Sequence, residues 1–231
     1  MKAAVYRNYG LPRNVLQIEE VKKPVPTDDE VLVKIHASSL NQYDWHLMTA
    51  DIFLVRLSMG LFRPKNYIPG ADIAGRVEKV GRNVTQFKPG DDVFGDISAI
   101  SAGGFAEYVA VPETLLVRKP ANVTYEEAAA IPMAALTALQ GLRDEGQIQP
   151  GQKVLIQGSS GGVGSFAVQI AKVFGAEVTA VCSTAMWSSP ARWARITSSI
   201  TPKKTSPKME SNTTSSLPQT DIIRSRTISG R

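Results

Sequence analysis

Seven residues, Gly158-Ser159-Ser160-Gly161-Gly162-Val163-Gly164, carry the clearest chemistry in the chain. Gly158, Gly161 and Gly164 stand at the three glycine positions of a turn that wraps a dinucleotide pyrophosphate. Glycine there allows a sharp turn, a close approach of backbone to phosphate, and tight packing of helix on strand. The same spacing also serves a generic strand-to-helix loop, so the flanking elements decide between the two. Before the turn, Val154 to Ile156 is an apolar run that predicts a buried strand. After it, Phe166, Val168, Ile170, Ala171 and Val173 recur at helical spacing, and 175–182 predicts a second strand. In that strand–helix–strand frame the N–H groups opening the helix point at the phosphates, and the helix dipole favours their charge.

Composition describes an ordinary globular chain with an unusual end. The 231 residues and the 43% hydrophobic content accommodate one large domain or two small ones. The first residues hold no apolar signal core, and no run is long enough to cross a bilayer, which predicts a cytoplasmic setting. Cys182 is the single cysteine, so neither a disulfide framework nor a cysteine-based zinc site is available. The net charge of +5 is local: residues 1–184 carry 18 Lys and Arg against 19 Asp and Glu, and residues 185–231 carry 8 against 2.

The elements ahead of the turn read as β-rich. Short strands are predicted at 3–6, 16–21 and 30–37, where Val31, Val33 and Ile35 alternate with their neighbours. Residues 69–81 form a strand broken by glycines, which fits a bulge or a barrel bend. Further strands follow the turn at Pro89-Gly90 and run over 104–111, a pattern of short strands that suits a small barrel or sandwich. From Pro120 to Gly146 the chain turns helical and alanine-rich.

Five motifs now stand in order: 39–45 (Ser-Leu-Asn-Gln-Tyr-Asp-Trp), 69–75 (Pro-Gly-Ala-Asp-Ile-Ala-Gly), 88–93 (Lys-Pro-Gly-Asp-Asp-Val), 129–138 and the glycine turn. In that order and spacing the chain resembles the medium-chain dehydrogenases and reductases, in their zinc-free, quinone-reductase-like branch, over residues 1 to about 184. The resemblance implies a GroES-like β-barrel catalytic domain (1–118) joined to an α/β Rossmann domain, whose first part is 119–184, with a disordered C-terminal tail after it. It implies an active site in the cleft between the domains, hydride transfer from NADPH to a small quinone, enone or related carbonyl substrate, and a homodimer.

The zinc-dependent branch of that family is excluded on residues. Where those relatives carry a ligand cysteine this chain has Asn41, and where they carry a ligand histidine and its glutamate it has Ala71 and Asp72. An amide and a methyl group do not replace a thiolate and an imidazole. His36 and His46 remain, and two histidines without nearby cysteine are ordinary surface or core residues. No metal is expected.

Without zinc, hydrogen-bond donors must polarise the carbonyl. By resemblance, Asn41 and Tyr43 sit near the nicotinamide and the substrate, and Asp44 and Trp45 shape the floor; Asn41, Tyr43 and Asp44 are the catalytic candidates. A Tyr hydroxyl or an Asn amide can donate to a developing enolate oxygen. Asn41 and Asp44 equally suit the start of a helix as caps, and both roles stay open. Thr137 is placed by resemblance at the nicotinamide end, against the alternative of a helical Thr bonding back along its own turn.

Cofactor choice is read at the end of the second strand, where NAD enzymes place an acid for the ribose 2′-hydroxyl. Here the chain has Cys182-Ser183-Thr184. Nothing repels a 2′-phosphate, and Ser183 and Thr184 join 158–164, Asn41 and Thr137 as cofactor-binding candidates for NADPH over NADH.

After Thr184 the resemblance stops. Residues 185–231 hold 17 Ser and Thr among 47, with scattered Pro and basic residues and no apolar period, a composition that predicts disorder. A reading of the coding triplets shifted by one base after Thr184 permits a helix, strand, turn and strand resembling the family's continuation, beginning with an arginine. A truncated, out-of-frame product is therefore expected, unstable and inactive for want of its remaining sheet. The alternative function is a non-enzymatic remnant or binding protein with a basic tail. Specific nucleic-acid recognition is not expected, because the tail offers only Trp187 and Trp193 as aromatics and no folded reading motif.

Overall fold

Strand β1 (Lys2–Tyr6) leads through the short helix α1 (Pro12–Val15) to β2 (Leu16–Glu20), which pairs with it antiparallel from Lys2↔Glu20 to Tyr6↔Leu16. Strand β3 (Glu30–Ser39) follows, then helices α2 (Gln42–Thr49) and α3 (Phe53–Met59) and strands β4 (Asp72–Val80), β5 (Asp92–Asp96), β6 (Tyr108–Pro112) and β7 (Val117–Arg118). In this computed structural model residues 1–65, 67–100, 103–183 and 197–201 are described. Strands β3 to β7 form one antiparallel sheet in the order β6-β3-β4-β5-β7, and the β1–β2 hairpin meets it through an Ala3↔Ala106 bridge.

Of the alternating residues expected to face inward, Val31 and Val33 are buried and Ile35 is partly buried against the same cluster, while Leu32 between the two valines is buried as well. Val31 and Val33 are buried with Ile73, Val77, Val93, Ile97 and Val111 in one cluster, each such side chain contributing about 1.5–3 kcal/mol on removal from water. The irregularity expected on β4 is present as one register shift, where Glu78 is skipped between Leu32↔Lys79 and Val33↔Val77; a second shift falls on β3, where His36 is skipped between Ile35↔Gly75 and Ala37↔Ala74. Such bulges turn the strand sharply enough to curl a small sheet.

Helix α4 (Tyr125–Ala129) belongs to this first unit. The Thr124 hydroxyl accepts from the Glu127 N–H at 3.2 Å and the Glu127 carboxylate accepts from the Thr124 N–H at 2.9 Å, a reciprocal cap. Ala128 and Ala129 pack on Ala74 of β4, and the Tyr125 hydroxyl donates to Asp92 at 2.6 Å. The chain therefore divides into Met1–Met133 and Ala134–Arg231. The division falls later than the expected boundary at 118/119, because small alanines let α4 lie directly on the sheet.

Helix α5 (Pro132–Leu139) begins at that boundary and runs on as a wider π-helical turn, Gln140–Glu145. The second unit then holds β8 (Lys153–Gln157), α6 (Gly162–Val173) and β9 (Glu177–Ser183), with β8 and β9 parallel from Lys153↔Glu177 to Gln157↔Val181. Val154 and Ile156 of β8 and Val178 and Ala180 of β9 are buried with Ala167, Val168 and Ala171 of α6. That is the predicted strand–helix–strand unit. Of 185–231, β10 (Thr197–Thr201) is described, pairing parallel with β9. The expectation of a disordered, out-of-frame tail otherwise lies outside the described residues.

Candidate active site

The glycine turn is built around the end of β9. The Gly158 and Ser159 N–H groups both donate to the Val181 carbonyl, at 2.9 and 3.1 Å, and the Ser159 hydroxyl donates to it at 3.2 Å. Gly158 has φ 75°, in the left-handed region that costs a side chain about 1–2 kcal/mol. A Cβ on Gly164 would lie 2.1 Å from the Gly158 carbonyl oxygen, so the third glycine seals helix against turn. Gly161 differs: a Cβ there meets only the Gly158 oxygen, at an ordinary 3.4 Å. Packing within the protein does not demand glycine at 161, and a side chain would project into the space over the helix start.

A diphosphate fits this arrangement. Gly161 caps α6, and Gly162, Val163 and Gly164 occupy its first turn, where N–H groups have no intrahelical acceptor. No acid stands in that turn. Gly158, Gly161 and Gly162 are exposed and Ser160 is half-buried. Ser159 is the exception among the expected phosphate contacts: it is 3% exposed, and its hydroxyl is spent on Val181. The strand end needs that donor, so the hydroxyl is turned away from the turn's open side. Thr137 lies exposed on α5. The backbone of Ser183 ends β9; its side chain, and Thr184 as a whole, lie outside the described residues.

The first unit gathers Asn41, Tyr43 and Asp44 at the start of α2. Asn41 is the N-cap with extended backbone (φ −116°, ψ 157°), and the Asp44 carboxylate accepts from its N–H at 2.8 Å. Asp44 also accepts from the Gly70 N–H at 3.0 Å and is 1% exposed. Its carboxylate is consumed by backbone donors and holds α2 to the segment entering β4. Burial raises its pKa against the lowering effect of those bonds. Tyr43 is half-buried, with its hydroxyl a long 3.5 Å from the Ser98 carbonyl. Burial, and then the nearby Asp96 and Asp44, raise its pKa, so the phenol keeps its proton at neutral pH.

The side chain of Asn41 goes elsewhere. Its amide nitrogen lies 3.0 Å from Asp72 Oδ2 and 3.2 Å from Ser39 Oγ, and Ser39 Oγ donates to the same Asp72 oxygen at 2.9 Å. Asp72 Oδ1 accepts from the Met133 N–H at 2.9 Å. Asp72 is completely buried, which raises its pKa, while its donors pull the other way. The expectation of an Asn41 amide free to donate to an enolate is thus corrected: a buried carboxylate needs donors, and the amide supplies them. Sequence reasoning used Asp72 only to exclude zinc. The signal was present, because an acid inside the apolar run from Ala71 to Ala74 must be buried with partners.

The histidines are accounted for: His36 stacks on Tyr125 with ring centroids 4.4 Å apart, and His46 Nδ1 lies 2.9 Å from Asp51. Among the described residues no group of three or more His, Cys, Asp or Glu is placed to hold a metal ion.

The alcohol dehydrogenase GroES-like domain family matches residues 27–121. The chloroplast envelope quinone oxidoreductase homolog of Arabidopsis thaliana is 40% identical over 189 residues, 79% of this chain and 55% of that protein. The quinone oxidoreductase structure from Coxiella burnetii superposes with a TM-score of 0.76 at 30% identity, covering 86% of this chain and 61% of that one. These similarities support a quinone-oxidoreductase-like medium-chain dehydrogenase/reductase. Members of that family bind nicotinamide cofactors. A third relative, the NADPH-dependent alkenal/one oxidoreductase of Arabidopsis thaliana chloroplasts, is 38% identical over 198 residues, 80% of this chain and 48% of that protein. The chain spans about half the length of the curated relatives it matches.

Proposed function

We propose that the protein carries the first part of an NADPH-dependent, zinc-independent reductase of quinones, enones or related activated carbonyl compounds, and that the activity needs the sheet strands that this chain's sequence after Thr184 does not supply. The observation that carries this reading is the glycine turn, sealed at Gly164 and open at Gly161, on a parallel strand–helix–strand unit with no acid at 182–184. The names of relatives that reduce quinones and alkenals support it.

Gly161, Gly162, Val163 and Gly164 would hold the pyrophosphate by backbone N–H groups, with Thr137 toward the nicotinamide end and Ser183 and Thr184 toward the 2′-phosphate. The cofactor, when bound, supplies a hydride. The Tyr43 phenol is the donor best suited to a developing enolate oxygen, because it is protonated at neutral pH and its contact with Ser98 is long enough to be exchanged. Asn41 lines the same helix start, and Asp44 acts by holding that helix in place rather than by meeting substrate.

The homodimer belongs to the same proposal, as does a cytoplasmic setting, although several relatives carry chloroplast names. No helix among the described residues is long and apolar enough to cross a membrane. Fluorescence titration tests the proposal: NADPH should bind at least about tenfold more tightly than NADH, roughly 1.4 kcal/mol. Equal or tighter NADH binding would sink the cofactor assignment.

A further inference from the structure

We infer that the segment from Ile52 to Lys65 is an interfacial patch that seats this protein on the surface of an anionic lipid bilayer. Large apolar side chains scattered singly over a surface are ordinary, whereas a group of them marks a contact site. Helix α3 and the turn after it leave Ile52, Phe53, Leu57, Leu61 and Phe62 in the open, with exposures of 44, 64, 59, 47 and 87%. Their surroundings are one-sided in charge. From Ile52 to Ala71 the chain holds Arg56, Arg63 and Lys65 and no acid. Arg63 and Lys65 are exposed. The patch is also held on fixed backbone. The Tyr9 hydroxyl donates to the Gly60 carbonyl at 2.6 Å, and the Arg56 guanidinium lies 5.2 Å from the centre of the Tyr9 ring. The Lys65 N–H donates to the Met59 carbonyl at 2.7 Å, and Met59 is itself buried. Gly60 has φ 122°, and a Cβ there would fall 2.1 Å from the Arg63 carbonyl oxygen, so the turn that presents Phe62 closes tightly.

Charge selects the occupant. A second copy seated on the same patch would bring its cations against those of the first across a two-fold axis. Residues 185–231 suit the patch no better, since they carry 8 Lys and Arg against 2 Asp and Glu. An anionic bilayer supplies both halves of the match: apolar depth for the phenylalanines and leucines, and negative headgroups for Arg63 and Lys65. Helix α3 has seven residues, and no helix among the described residues is long and apolar enough to cross a membrane. The patch therefore lies in the plane of the interface.

The test is flotation of the full-length chain with vesicles of phosphatidylcholine, alone or with about 30% phosphatidylglycerol. The parent should bind the anionic vesicles more tightly than the neutral ones. Arg63→Glu/Lys65→Glu should weaken that binding by about 25-fold or more, about fivefold for each cation lost. Phe53→Ser/Phe62→Ser should weaken it by about tenfold or more, through the apolar surface no longer buried. Neither variant touches the basic residues of 185–231, so binding carried by that segment would ignore both. Weaker binding in both variants supports the inference, and indifference to either one overturns it. Phe62 is 87% exposed, so Phe62→Ser disturbs no packing and decides alone should a double variant fail to fold by circular dichroism. Equal binding to the two kinds of vesicle, or none to either, also overturns the inference. Self-association lost in Phe53→Ser/Phe62→Ser would then make the patch an interface between copies.

Discussion

Gly164→Ala and Gly161→Ala add the same methyl group three residues apart, and they should fail in different ways. At 164 the new Cβ would sit 2.1 Å from the Gly158 oxygen, 2.7 Å from its carbonyl carbon and 2.8 Å from the Ser159 Cα. All three are backbone atoms of a turn tied by Gly158 and Ser159 to Val181. They cannot swing aside as a side chain would, so the overlap falls at the upper end of the roughly 1–3 kcal/mol range for overpacking. Replacing a glycine inside a helix returns about 1 kcal/mol. The overlap wins, and a net loss of about 2 kcal/mol is expected. At 161 the methyl meets ordinary contact at 3.4 Å, and the fold should lose no more than about 1 kcal/mol through the poorer N-cap. That methyl instead occupies the space a pyrophosphate needs, and NADPH affinity should fall by about tenfold or more. Guanidinium denaturation followed by circular dichroism reads the first effect, and fluorescence titration reads the second. A Gly164→Ala protein as stable as the parent would refute the packing argument. A Gly161→Ala protein with parental NADPH affinity would refute the placement of the phosphates.

Three further outcomes are expected. Asp44→Ala strips the acceptor from the buried N–H groups of Asn41 and Gly70 and should cost about 3 kcal/mol in a thermal or denaturant melt, with Asp44→Asn losing less; equal stability would show that water replaces the carboxylate. Burial raises the pKa of Asp72, so the stability linked to its protonation is fully present below the unfolded carboxylate pKa of about 3.9 and is lost as the pH rises through the higher folded value. The stability of the parent relative to Asp72→Asn should therefore grow as the pH falls from neutral toward about 4, and parallel pH profiles would contradict this. Exhaustive chelation should leave any reductase activity intact, whereas stoichiometric zinc lost together with activity would overturn the zinc-free assignment.

Local features were legible in the sequence because they depend on neighbours a few residues away. The apolar run at Val154 to Ile156, the helical spacing from Phe166 to Val173 and the glycines between them specify strand, turn and helix with little help from elsewhere. The absent zinc ligands at Asn41 and Ala71 were equally plain, since ligand chemistry is a property of residue type. Other features needed the folded chain. Asp72 meets Asn41 and Met133, which stand 31 and 61 positions from it in the sequence, and no local pattern announces such a partnership. The same is true of Ser159, whose hydroxyl turns to Val181 across the two parallel strands instead of toward the turn's open side. The boundary at Met133 follows from alanine faces that allow α4 to settle on β4. In each case the sequence offers a polar or small side chain with several possible uses, and burial selects the one that leaves no hydrogen-bonding group or surface unmatched.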